Sequence, residues 1–138
     1  MMKIVISEPS TRKAYQIEID AAKSAALIGK KISEEFNGDL VGLNGYTLKI
    51  TGGSDNGGFP MRPELPGSSR RASLLKGAPG FHPKWKGQQK RKLVCSNTIS
   101  QSISQVNVKV IKAGEKKLEE IVPPKPKAEK TEEKKPAK

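Results

Sequence analysis

Apolar residues fall in short, mostly alternating clusters, and this pattern predicts strands rather than long helices. Residues 2–7 centre on Ile4, Val5 and Ile6, while Tyr15-Gln16-Ile17-Glu18-Ile19 alternates strictly, as a strand buried on one face does. The turn-forming run Glu8-Pro9-Ser10-Thr11-Arg12-Lys13 between them predicts a β-hairpin. Residues 20–36 place Ala25, Ile28, Ile32 and Phe36 on one helical face behind a capping Asp20, but Gly29 interrupts them. A short helix over residues 31–36 is the narrower expectation. Asn37-Gly38-Asp39 and Asn44-Gly45 mark turns around Leu40-Val41-Gly42-Leu43, and Tyr46-Thr47-Leu48-Lys49-Ile50 alternates again. Strand character resumes at Leu93-Val94-Cys95 and Val106-Asn107-Val108-Lys109-Val110-Ile111. A turn over residues 112–115 and a short last element over 117–122 follow.

Short strands at this spacing predict a mainly β fold: a small β-barrel with a short helix, occupying residues 1–122. A long basic, glycine-rich loop over about residues 52–95 leaves the barrel and returns to it. Residues 123–138 hold six lysines, three glutamates and four prolines with almost nothing to bury, and predict a disordered tail.

Composition sharpens the picture in one direction. The 138 residues are 34% hydrophobic and carry six aromatics, which allows a small core and argues against a large enclosed active site. Lysine and arginine outnumber the acids 26 to 14, a formal charge of +12. Such self-repulsion is relieved against a polyanion that releases its condensed counterions, so a nucleic acid is the expected partner. The lone Cys95 excludes an intrachain disulfide and a cysteine-based zinc cluster, fits a reducing cytosol, and is expected as a small core residue. No charged segment followed by an apolar one opens the chain, and no apolar window reaches membrane-spanning length. A soluble protein without an export signal is expected.

The charge is concentrated. Between residues 62 and 92 stand Arg62, Arg70, Arg71, Lys76, Lys84, Lys86, Lys90, Arg91 and Lys92 against one acid, Glu64. This stretch holds few apolar side chains to offset its backbone entropy, so ordering on contact with RNA is expected. Phe81-His82-Pro83-Lys84-Trp85-Lys86 interleaves rings with cations, a pattern in which Phe81 and Trp85 stack on unpaired bases while lysines hold phosphates.

Other chemistry is poorly supported. Residues 50–61, Ile-Thr-Gly-Gly-Ser-Asp-Asn-Gly-Gly-Phe-Pro-Met, lack the Lys-Ser or Lys-Thr pair of a P-loop, and their last glycine runs into Phe59-Pro60 instead of a helix. No nucleotide cofactor is expected. Asp55 has no second titratable residue nearby and is expected to bond to its own backbone in an Asx turn. With His82 alone, neither a metal site nor a catalytic triad can be assembled. Arg70-Arg71-Ala72-Ser73 has the form basophilic kinases recognise, but arginine-rich chains produce it readily, and phosphate contact is the preferred reading.

The run over 50–61, with Gly52, Gly53, Asp55, Gly58, Pro60 and Met61 in place, resembles the signature of the archaeal and eukaryotic small-subunit ribosomal protein family S-six-e. Agreement extends through Tyr46 and Lys49, Arg71, Leu74-Leu75, Lys76-Gly77, Phe81, Pro83, Gly87, Lys90-Arg91-Lys92, Gln105-Val106-Asn107, Lys112 and Gly114. The chain departs from it at Cys95-Ser96, where the family places arginine and glycine. It also lacks the long basic C-terminal helix with regulatory serines of eukaryotic members, so the likeness is to archaeal ones. The resemblance implies a structural component of the cytoplasmic small ribosomal subunit that contacts ribosomal RNA and neighbouring ribosomal proteins, with no catalytic residue, membrane or small-molecule substrate. The competing readings are a free-standing regulatory or chaperone-like RNA-binding module and, disfavoured by the missing acid–base and metal groups, an enzyme acting on nucleotides.

Overall fold

The computed structural model describes residues 2–114 and 118–121. Strands β1 (Met2–Glu8) and β2 (Lys13–Ile19) form the expected hairpin, with Ile4 opposite Ile17 and Ile6 opposite Tyr15. Its turn is closed by the Ser10 and Thr11 hydroxyls, which donate to the Glu8 carboxylate at 3.2 and 2.7 Å. The sequence continues through α1 (Ala21–Ala25), β3 (Glu35–Asn37), a 3₁₀ turn (Gly38–Val41), β4 (Thr47–Asp55), β5 (Arg70–Leu75), β6 (Lys90–Cys95), β7 (Ile103–Lys112) and α2 (Leu118–Ile121).

Five strands form one sheet in the order β2-β1-β7-β4-β3, and β5 pairs with β6 in a separate two-stranded ribbon. Strand β7 lies parallel to β1 and antiparallel to β4. Alternation sends Ile4, Ile6, Leu48, Ile50, Val106 and Val108 to one face, where Leu27, Leu43, Ile99 and Leu118 cover them; all ten are at most 1% exposed. The opposite face carries polar pairs such as Lys3–Glu18 and Lys49–Glu35.

Three expectations are corrected. The sheet is not a barrel: β2 and β3 stand at its two edges, and closure would need a ladder between first and last strands. The three-residue β3 gives way at once to the 3₁₀ turn, so it offers no outer edge of useful length.

No helix occupies residues 31–36, because the backbone donors there are drawn across the fold. Ile32 donates to the Asn97 carbonyl at 3.0 Å and Ser33 to that of Ile50 at 2.8 Å, while Phe36 pairs with Leu48. The helix is instead the five-residue α1. Asp20 occupies its N-cap position with no side-chain capping bond, and the chain turns away at Gly29, whose φ is +90°.

The basic stretch is not an irregular loop either, since β5 and β6 pair over six residues each. The proposed tail over 123–138, the last residue of the 1–122 domain, and the ends of the expected element over 117–122 lie outside the described residues.

A basic ribbon hinged on the glycine run

Strand β4 does not stop at Ile50 but continues through Gly52, Gly53 and Ser54 to Asp55, with register shifts between Ile50 and Gly52 and between Ser54 and Asp55. Gly53 permits this, because a Cβ there would overlap the Gln105 carbonyl on β7 and approach the Met61 sulfur at 3.1 Å. Gly52, by contrast, faces open space.

The chain then folds back on itself. Gly58 donates to the Asp55 carbonyl at 2.9 Å, Asp55 to Phe59 at 3.0 Å, and Met61 to Gly53 at 3.0 Å. Pro60 lies against Ser54, and Met61 runs parallel to Cys95. Cys95 donates to the Pro60 carbonyl at 2.9 Å and Arg62 to that of Cys95 at 3.0 Å. The glycine run is therefore the joint between the sheet and the ribbon. Its amides at residues 55, 56, 58 and 61 all donate to protein oxygens, which leaves none of these four to cradle a phosphate.

Asp55 sits at the centre of the joint, 2% exposed. One carboxylate oxygen accepts the Asn56 amide at 2.5 Å, a local backbone bond to the next residue rather than the bond two residues on that an Asx turn makes. The other accepts from Arg70 Nε of β5 and from the Cys95 thiol of β6, the latter at 3.4 Å. Phe59 lies under the same guanidinium, 5.0 Å from Arg70 Cζ to the ring centroid. The Arg70 bond holds the Asp55 carboxyl below its ordinary range, against the opposing effect of burial. Burial, reinforced by the neighbouring carboxylate, pushes the Cys95 thiol up to about 11. Cys95 is thus a protonated core residue, buried as expected.

Within the ribbon, cross-strand pairing puts Arg71, Ser73 and Leu75 opposite Val94, Lys92 and Lys90 on one face, and Arg70, Ala72 and Leu74 opposite Cys95, Leu93 and Arg91 on the other. The first face is covered by its own connecting segment: Leu75, Phe81 and Val94 form a second buried cluster, with Leu65 against it. Arg62 braces that segment. It is 8% exposed and donates Nε to the Pro79 carbonyl at 3.1 Å, Nη2 to that of Gly77 at 2.8 Å, and Nη1 to Glu64 at 3.0 Å.

The structure therefore divides the residues that the sequence grouped together. Arg62 and Phe81 are buried, while Arg70 is tied to Asp55 but keeps 42% of its side chain exposed. Arg71, Lys76, Lys84, Lys86, Lys90, Arg91 and Lys92 are exposed and form no ion pair with any described residue; Lys92 stands over the Phe81 ring at 5.7 Å. Trp85 is 63% exposed between Lys84 and Lys86. His82 is exposed, and among the described residues no cluster of histidine, cysteine or carboxylate side chains could hold a metal. The Asp55–Arg70 pair was missed at the sequence level because 15 residues separate its members. The only hint was an acid standing alone beside a strongly basic stretch.

The fold and surface define a small protein of open mixed-sheet architecture with a cluster of exposed cations on a separate ribbon and its connecting segment. The profile of a family described as "Ribosomal protein S6e" matches residues 2–123. The "Small ribosomal subunit protein eS6" of Methanocaldococcus jannaschii is 49% identical over 120 residues, covering 87% of this chain and 89% of that protein. The protein of the same description from Archaeoglobus fulgidus is 51% identical over 120 residues, covering 86% and 93%. This chain belongs to the ribosomal protein S6e family.

Proposed function

We propose that the protein is a structural constituent of the cytoplasmic small ribosomal subunit, not an enzyme, and that it binds ribosomal RNA through the β5–β6 ribbon beside neighbouring ribosomal proteins. Family membership and the relatives' descriptions support the assignment to the subunit. The observation that carries the choice of surface is the set of seven exposed cations without a described acidic partner, four on β5 and β6 and three on the segment that connects them. Arg71, Lys76, Lys84, Lys86, Lys90, Arg91 and Lys92 take phosphates, and Trp85 offers a ring to an unpaired base. Arg62, Arg70 and Phe81 contribute indirectly, by holding the shape of the ribbon.

Replacing Lys90, Arg91 and Lys92 together with alanine tests this. If each contacts one phosphate, the slope of log affinity against log salt falls by about two to three units, and incorporation into small subunits drops on sedimentation. An unchanged slope would place the RNA on another surface. Protein that stays off the subunits at moderate salt would favour a free-standing RNA-binding module.

A further inference from the structure

Asp55 invites a question that its place in the fold does not answer. A buried carboxylate is costly unless fully bonded, and an apolar residue would fill the same space at less risk. Here the carboxylate is bonded to three different places: the Asn56 amide at the end of β4, Arg70 on β5, and Cys95 on β6. No other described side chain of the five-stranded sheet forms an ion pair with the ribbon. The other ties near the joint are backbone bonds around Met61 and Cys95, together with bonds from Ser96, Asn97 and Thr98 to Ser69, Leu65 and Gly67 in the segment that leads into β5. Within β5 itself, the Arg70 side chain has Asp55 and the face of Phe59.

We propose that Asp55 is a positioning residue for RNA binding, a latch that fixes the ribbon against the end of the sheet and presents its cations in one arrangement. The inference rests on the ribbon being the RNA-binding element. Positioning lowers the ordering cost of association without adding any contact to the ligand. Charge alone predicts the opposite effect, because a carboxylate close to the binding surface repels phosphate and its neutralisation should tighten binding. The two roles therefore differ in sign.

The test uses the full chain and purified small-subunit ribosomal RNA, with filter binding across a range of salt. Asp55→Asn raises the formal charge from +12 to +13. Even so, it is expected to bind about tenfold more weakly, with the salt slope unchanged. Hydrogen exchange should show faster opening of β5 and β6 with β1 and β7 still protected.

Arg70→Lys keeps the charge but loses the Nε bond, and it decides the matter should Asp55→Asn fail to fold. Weaker binding at an unaltered slope supports the latch, whereas wild-type affinity overturns it. Cys95→Ser retains a donor to Asp55 and is expected to bind as the parent does. Tighter or equal binding by a folded Asp55→Asn protein overturns the proposal, provided the Lys90, Arg91 and Lys92 triple variant has flattened the slope. If that triple variant leaves the slope unchanged, the failure lies with the ribbon as binding element and not with the latch.

Discussion

The five-stranded sheet and the two-stranded ribbon are built from the same kind of strand yet are stabilised differently. Each strand of the sheet alternates so that one face enters a continuous core, and hydrophobic burial holds the sheet together. A two-stranded ribbon has too little area for that and is marginal by itself. The ribbon compensates with a three-residue cluster on one face, an arginine brace from Arg62 and an ion pair from the half-exposed Arg70 to the buried Asp55 of the sheet. Polar bonds thus substitute for missing core, and the surface left open carries its cations beside the exposed Leu74, Trp85 and Leu93. In this chain the stable part and the charged part are separate pieces meeting at one joint.

The comparison is broken most completely at Gly53. Gly53→Val forces a side chain into the β7 backbone, and a loss of about 3 kcal/mol or more is expected, enough to abolish a cooperative denaturant transition. Gly52→Ala, one residue away in open space, is expected to stay within about 0.5 kcal/mol of the parent. Equal effects at both positions would show that the close approach to Gln105 is not what Gly53 provides.

Phe81→Ala and Trp85→Ala sharpen the contrast inside the ribbon. Loss of the buried Phe81 ring is expected to cost about 3 kcal/mol, felt mainly by β5 and β6 as accelerated hydrogen exchange. Trp85→Ala should leave stability within about 0.5 kcal/mol while lowering RNA affinity by about 1–3 kcal/mol, the usual worth of one stacked base. A Trp85→Ala variant with unaltered affinity would remove stacking from the mechanism.

The smallest expected effect is on pH dependence. The folded-state pKa of Asp55 is depressed, so the stability it contributes is present above the ordinary carboxylate range and is lost as pH falls through the folded value. The pKa of Cys95 is raised, so its contribution is complete below about pH 9 and is lost as pH rises towards about 11. Both groups sit at the joint. In an NMR acid titration, amide signals of β5 and β6 should therefore shift or broaden before those of β1 and β7. Simultaneous loss of both sets would mean that the joint does not loosen separately.

Strands whose side chains alternate were legible in the sequence. The hairpin of β1 and β2, the first half of β4 and most of β7 follow from isoleucine and valine spacing. The second half of β4 was hidden because glycine and serine have no apolar side chain to report a period. Strand β5 was hidden because Arg70-Arg71-Ala72-Ser73 reads as polar, though all four residues are held by cross-strand pairing rather than by burial.

The helix was misplaced because amphipathic spacing at residues 25–36 cannot show that Asn97 and Ile50 claim the backbone there. Closure into a barrel was wrong for a related reason: strand count says nothing about which edges meet. The cationic stretch was evident, but the division between cations left open to solvent and arginines held by protein groups depends on partners distant in sequence. Charge counting treats both kinds alike.

The parallel pairing of β1 with β7 sets an order of events during synthesis. Among the described strands, β7 alone is hydrogen-bonded to both the hairpin of β1 and β2 and the pair of β3 and β4, and it is the last of them to be synthesised. Before residues 103–112 emerge, the two halves of the sheet share no hydrogen-bonded strand, while the cationic residues 70–95 have already been released. A nascent chain of this protein therefore displays its cationic segment before the sheet that will support it can be completed.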